Sequence, residues 1–231
     1  MSEIIKIENI TKTFNIGAIE THALRGIDLT VEEGEFLALV GPSGSGKTTL
    51  LNLIGALDEP TDGKVFIDDQ DISKLNQSEL SELRLAKLGF VFQAYNLIPV
   101  LTAFENVEFV LLLKEIDSKE RQEKVETILK ELGLEEQMQK KPGEMSGGQQ
   151  QRVAVARAIV SRPRLILADE PTANLDSKTS RELLEKMREL NEKYKVTFVF
   201  STHDPMVMEF ARRIVHIKDG KVDINNEKKT E

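Results

Sequence analysis

The sequence predicts an α/β fold: a core of buried strands and helices, interrupted by a helical insertion and flanked by antiparallel strands. Three observations carry this expectation. The N-terminal stretch alternates apolar and polar residues; short, almost wholly apolar runs recur near 36–40, 165–168 and 196–201; and the middle third places its apolar residues at helical spacing. At 231 residues the chain holds one or two domains and a core that needs no covalent staple.

The elements follow in order. Ile4-Ile5-Lys6-Ile7-Glu8-Asn9-Ile10 and Ile27-Asp28-Leu29-Thr30-Val31 alternate as half-buried antiparallel strands do. After a turn at Glu32-Glu33-Gly34, Phe36-Leu37-Ala38-Leu39-Val40 loses the alternation, as a strand covered on both faces does. A Gly/Ser-rich loop and a helix from Lys47 towards Gly55 come next, then a short outer strand at Val65-Phe66-Ile67. Residues 78–134 read as mostly helical with a break over 89–99. Val125, Ile128, Leu129 and Leu132 share one face of a helix that stops at Gly133. A second helix runs from Pro142-Gly143 to about Val160. Leu165-Ile166-Leu167-Ala168 is a buried strand, 180–194 an amphipathic helix, 196–201 a further strand, and 213–223 a hairpin turning at Asp219-Gly220. The polar tail, 224–231, is expected to fray.

Composition narrows the chemistry. With 31 Lys+Arg against 39 Asp+Glu the net charge is −8, which argues against a general phosphate-backbone binder and so against nucleic acid as the partner. The absence of cysteine excludes a disulfide framework and a thiolate metal site, and three scattered histidines make no metal cluster. No apolar run reaches the ~18 residues of a membrane span, and no secretion signal opens the chain. A cytosolic protein is expected, with any membrane role exercised through a partner.

Gly41-Pro42-Ser43-Gly44-Ser45-Gly46-Lys47-Thr48 fits G-x-x-x-x-G-K-[ST] between a buried strand and a helix. The glycines let backbone N–H groups wrap a phosphate, and the helix N-terminus adds positive potential. Lys47 can reach the β/γ-phosphates, and the Thr48 hydroxyl can ligate Mg²⁺. A dinucleotide loop fails, because the third glycine position of G-x-G-x-x-G is Thr49.

The strand at Leu165 ends in Asp169-Glu170-Pro171. An Asp there suits a second Mg²⁺ anchor, and strand periodicity turns Glu170 to the other side, as general base on a water attacking the γ-phosphate. The plainer alternative is that both carboxylates cap the next helix or pair with Arg162 or Arg164. His203, in Ser201-Thr202-His203-Asp204 past the last core strand, lies at the carboxyl edge of the sheet, where its ring can bond a γ-phosphate oxygen. His22, in a loop, and His216, in an outer strand, have no assigned chemistry.

Met145-Ser146-Gly147-Gly148-Gln149 opens a helix with a serine, two glycines and free N–H groups, which makes a second phosphate receptor without a lysine. It is either an ordinary Ser-capped helix or the half-site for a nucleotide held by another copy.

The order of these segments, with Phe92-Gln93 and Asn174-Leu175-Asp176 between them, resembles an ABC-transporter ATPase subunit over about residues 4–223. That resemblance implies a P-loop NTPase core with a RecA-like mixed sheet and an antiparallel β subdomain, about 1–92 and 163–223, and a helical subdomain over 93–162. It implies that Phe14 stacks on adenine, that Gly41 to Thr49 bind the phosphates of ATP, and that Gln93 joins Thr48 and Asp169 around Mg²⁺. Ser146, Gly147, Gly148 and Gln149 would close over the γ-phosphate of a second, head-to-tail copy. Asp176 would sit in the loop between the two sites, with Glu170 as base and His203 as switch. Met145 stands where leucine is more usual.

Residues 90–107 and Asn52-Leu53-Ile54-Gly55-Ala56-Leu57-Asp58 are similar to the MacB/LolD group. This implies an integral-membrane permease partner, a peripheral place on the cytoplasmic face, and export or extraction of lipoproteins, peptides or amphiphiles. The alternative is a regulatory ATPase of a division-type complex that moves no solute. ATPases of the chromosome type need a coiled coil and repair types need cysteines; this sequence has neither.

Overall fold

The computed structural model describes residues 2–17, 19–223 and 228–229. Strands β1 (Glu3–Ile16) and β2 (Ile19–Glu32) form a long antiparallel ribbon, and β3 (Phe36–Val40) leaves it for a second sheet. Strands β4 (Asp62–Ile67) and β5 (Gln70–Asp71) complete the first sheet in the order β2-β1-β4-β5. The ribbon is longer than the two alternating segments predict. Register shifts after Ile7, Ile10 and Lys12 explain why: each bulge resets which residues face the core, so the alternation cannot persist through 11–26. His22 therefore lies in a strand opposite Thr13, not in a loop.

The second sheet is the core. Strand β9 (Arg213–Lys218) is followed in space by β3, β8 (Thr197–Thr202), β7 (Leu165–Asp169) and β6 (Leu88–Val91), all parallel, and β10 (Lys221–Val222) pairs antiparallel on the outer side of β9. Strand β6 falls where the sequence reads as a break between helices. Its Gly89 hides it: a Cβ there would come within 2.3 Å of the Ala158 carbonyl, so the strand needs a residue usually read as a breaker. The β9–β10 hairpin turns at Asp219 (φ 50°) and Gly220 (φ 75°), as the Asp-Gly pair predicts. In the tail, Lys228–Lys229 pair with β9 as a short strand β11, so this part is not frayed; 224–227 and 230–231 lie outside the described residues.

Period-2 alternation along the core strands sorts their side chains into two cores. On one face Phe36, Phe198 and Phe200 cluster, with ring centroids 4.6 to 5.8 Å apart. They pack against helices α3 (Ala103–Leu113), α4 (Ser118–Glu131), α5 (Gly147–Ile159) and α6 (Ser177–Tyr194). On the other face Leu37, Leu39, Val199 and Leu167 meet α1 (Lys47–Ile54), α2 (Gln77–Lys87) and the first sheet. Val125, Ile128, Leu129 and Leu132 are buried together, and Gly133 (φ 67°) ends that helix. Helix α7 (Pro205–Phe210), short and capped by Asp204, follows β8. Among the described residues no helix is long and apolar enough to cross a membrane.

Candidate functional site

The carboxyl ends of β3, β7 and β8 meet at one edge of the core sheet, where an open α/β fold places its ligand crevice. The loop after β3 carries Gly41 to Gly46 and delivers Lys47 at the start of α1. Its glycines are structural necessities. A Cβ on Gly41 would stand 2.1 Å from the Ile217 carbonyl, and Gly46 (φ 105°) presses on the Ala23 carbonyl of β2. The loop is thus clamped between the two sheets. It borders a cleft of ≈ 460 Å³ lined by Pro42, Ser43, Gly44, Gly46, Lys47, Thr48 and Thr49, together with Gln93, Glu170, Ala173 and His203 from across the crevice.

Lys47 is almost fully buried, and its Nζ donates to the carbonyls of Gly41 at 2.8 Å and Pro42 at 3.0 Å. The ammonium is held inside its own loop, where a phosphate would compete for it. Beside it, Thr48 Oγ1 donates to Asp169 Oδ1 at 3.0 Å. Gln93 lines the same cleft, so the side chains available there carry hydroxyl, carboxylate and amide oxygens. Such donors fit a small hard cation such as Mg²⁺. The backbone carbonyl of Gln93 is separately tied down by Asn174 Nδ2 at 2.9 Å.

Glu170 follows β7 in a left-handed conformation, φ 44°. One carboxylate oxygen accepts from Thr202 Oγ1 at 3.1 Å and the other from His203 Nδ1 at 2.6 Å. An ionised carboxylate only accepts, so in this contact Nδ1 is the donor, and His203 itself lines the cleft. The alternative pairing with Arg162 or Arg164 does not occur. Arg164 lies on Glu33 and Asp68, and Arg162 stacks on the Tyr194 ring. Sequence reasoning passed over Thr202 and Asp204, although they flank His203. Asp204 accepts from Thr172 Oγ1 at 2.7 Å, and its own N–H donates to Thr202 Oγ1, so the hydroxyl that holds Glu170 is itself held. The signal was the T-x-D spacing before Pro205, an N-cap followed by an N1 proline.

Three of the expected site groups lie apart from this cleft. Phe14, on β1, is 38% exposed and stacked under Lys12 Nζ at 5.0 Å. Ser146 caps α5: its Oγ accepts from Gln149 N, while Gln149 Oε1 accepts from Ser146 N at 2.9 Å. The plain reading, a capped helix, is therefore observed, and the Ser146 side is exposed. Gly148 packs so tightly on α6 that a Cβ would meet Thr179 Cγ2 at 2.4 Å. Asp176 caps α6, accepting from Lys178 N, Thr179 N and Thr179 Oγ1. The Thr179 hydroxyl first, then these N–H groups, hold its carboxyl below the usual carboxylate range.

Comparisons with known proteins show what the chain as a whole is similar to. The ABC transporter family model matches residues 24–173. An ABC transporter ATP-binding protein of Methanocaldococcus jannaschii, MJ0796, is 48% identical over 224 residues and 95% of both chains. The lipoprotein-releasing system ATP-binding protein LolD 1 of Rhodopseudomonas palustris is 46% identical over 96% of this chain and 99% of its own. The macrolide export ATP-binding/permease protein MacB of Syntrophobacter fumaroxidans is 46% identical over 96% of this chain, which spans 31% of that longer protein. Among solved structures, the dimeric post-hydrolysis state of the MJ0796 cassette bound to ADP and Pi superposes with a TM-score of 0.90 at 46% identity, covering 98% of this chain and 99% of that one. A second dimeric MJ0796 structure gives 0.91. A P-loop NTPase fold, a phosphate loop facing an acidic strand end, and this likeness over nearly the whole chain together show that the protein belongs to the ABC transporter family, as an ATP-binding subunit.

Proposed function

We propose that this chain binds and hydrolyses ATP as one half of a head-to-tail dimer that drives a separate membrane permease. The observation that supports the reading is the separation, on one chain, of the Lys47 loop and the exposed, Ser146-capped start of α5. The Lys47 loop opens on the cleft, whereas the Ser146 cap is exposed and lies outside it. Each receptor then serves a different nucleotide, and a site is complete only when Ser146, Gly147, Gly148 and Gln149 of a second copy arrive. That MJ0796, 46% identical, has dimeric structures supports the involvement of a second copy.

In the reaction, the loop from Gly41 to Thr49 and Lys47 neutralise and orient the phosphates of ATP. Thr48, Asp169 and Gln93 would hold Mg²⁺, which when bound offsets the charge on the β- and γ-phosphates. Glu170 accepts the proton of the attacking water, and the Thr202 and His203 hydrogen bonds keep its carboxylate aimed. Phe14 serves the adenine, and Asp176 the loop between sites. Loss of the γ-phosphate removes the contacts that close the dimer, and the copies separate.

Residues 1–92 and 163–223 act as core plus β subdomain, and 93–162 as a helical subdomain. Between them Leu57, Leu85, Phe90, Phe92 and Val110, with Arg84, Asn96 and Arg157 beside them, line a mainly apolar cleft of ≈ 430 Å³, which supports a permease docking there. The likeness to LolD and MacB favours export or extraction of lipoprotein, peptide or amphiphile, with the chain on the cytoplasmic face of the membrane.

The test is Glu170→Gln. ATP hydrolysis should fall by about 10²-fold or more, while an ATP-dependent dimer accumulates on a sizing column. Normal turnover by this variant removes Glu170 from the role of base.

A further inference from the structure

Gln151 lies in the second turn of α5 and is completely buried. Its Nε2 donates at 2.8 Å to the carbonyl of Pro171, the residue directly after Glu170. Its Oε1 is enclosed with no hydrogen-bond partner. A buried amide satisfied at one end only is unfavourable for the fold. An apolar side chain of similar volume would fill the space without stranding an oxygen.

The arrangement gains something at the other end of the bond. Glu170 holds φ 44°, a conformation that a residue with a β-carbon keeps only where its surroundings over-determine it. Two backbone hydrogen bonds brace the turn, Glu170 N to Ser201 O at 2.9 Å and Ala173 N to Glu170 O at 3.2 Å. Both come from the turn itself or the adjacent strand. The Gln151 bond reaches in from a helix, and it grips the one polar handle Pro171 has, because proline carries no N–H. That helix is the one capped by Ser146, just over a turn before Gln151.

We infer that Gln151 is a positioning residue for hydrolysis: its amide ties the Pro171 carbonyl, and with it the left-handed turn that aims Glu170, to the helix bearing the Ser146 receptor. The inference rests on Glu170 being the base. It places the two half-sites of one chain on a single mechanical link, so that a displacement at the start of α5 is felt at the Glu170 turn.

The test compares the full-length wild type with Gln151→Met, which keeps the volume and removes the donor, and Gln151→Asn, whose amide falls one methylene short. Gln151→Met should unfold within a few degrees of the wild type and Gln151→Asn, which buries an unpaired amide, somewhat earlier; both should bind ATP in titrations with unchanged affinity and form the ATP-dependent dimer. Both should lose about tenfold in kcat at an unchanged KM. Wild-type kcat in Gln151→Met overturns the inference. So does, in that variant, a fall in kcat accompanied by a matching loss of stability or of KM, or a failure to fold, since each shows a packing contact. Glu170→Gln, run alongside, separates the two readings. If it turns over normally, the assignment of the base has failed; if it is silent while Gln151→Met is fully active, only the role of Gln151 has.

Discussion

Glu170 and His203 directly follow adjacent parallel strands and meet through a 2.6 Å hydrogen bond from Nδ1 to Oε1. The contact couples the residue proposed to take the proton of water to the one proposed to sense the γ-phosphate. His203→Ala removes one of the two side-chain bonds that hold the carboxylate and leaves the Thr202 bond in place. Turnover should fall about 10²-fold. The imidazole is 70% exposed, so the thermal unfolding midpoint should barely move. ATP affinity and turnover measured together check this; a drop in binding as large as the drop in kcat would place His203 in ground-state binding instead.

Ser146→Arg probes the second receptor. Its capping interactions are local to α5, and its side chain is exposed, so the folded monomer accommodates the longer residue. Loss of the cap costs about 0.5–2 kcal/mol of stability. Because the cleft of the same chain does not include Ser146, ATP titrates the monomer normally, whereas dimerisation and turnover are abolished. If the variant monomer no longer binds nucleotide, the receptor does not serve a second copy.

Much of this site was legible because its chemistry lies in contiguous residues. Gly41 to Thr48 and Asp169-Glu170 each suggest a phosphate or metal role by local pattern, and parallel strands carry both to one edge, whereas Ser146 to Gln149 lies apart from the cleft as a capped helix start. The supporting contacts are non-local and left little trace. Nothing in the spelling of Gln151 points to Pro171, and Asn174 reaches the Gln93 backbone across the sequence. The same holds for the fold. The buried runs at β3, β7 and β8 declared themselves, but Gly89 disguised β6 and the bulges after Ile7 to Lys12 scrambled the long ribbon.

Gly148→Ala should fail for a reason that can be reversed. Its Cβ would stand 2.4 Å from Thr179 Cγ2, and Thr179 cannot turn away cheaply because its hydroxyl donates to Asp176 at 2.6 Å. Helix α5 must therefore shift from α6, at about 1–3 kcal/mol of overpacking. Adding Thr179→Ser deletes the obstructing methyl and keeps the hydroxyl bond. The double variant should recover most of the stability in urea unfolding, and its activity should recover with it. Recovered stability without recovered activity would mean that Gly148 is needed for backbone access to a ligand, and unrecovered stability would mean that the Thr179 methyl is not the obstruction.

A pH dependence follows from the turn between β4 and β5. Asp68 accepts from Lys87 Nζ at 2.8 Å and lies 3.4 Å from Arg164, which also meets Glu33, so one carboxylate joins the end of α2 to the start of β7. The Lys87 hydrogen bond, the largest influence, holds its carboxyl below the usual range; burial, the next largest, opposes it, and the charges of Lys87 and Arg164 add smaller lowering effects. The unfolded chain returns it to about 3.9. A group whose folded pKa is depressed contributes stability in full above the unfolded value and loses it as the pH falls through the folded one. Asp68→Asn keeps the left-handed turn that asparagine tolerates (φ 52°) and removes the charge. The wild type should exceed this variant by no more than about 1 kcal/mol near neutrality, because the pair is partly solvated. In urea unfolding the difference should shrink progressively below about pH 5. A gap that widens on acidification would mean that Asp68 contributes through its neutral form, and that the Lys87 contact adds nothing to the folded state.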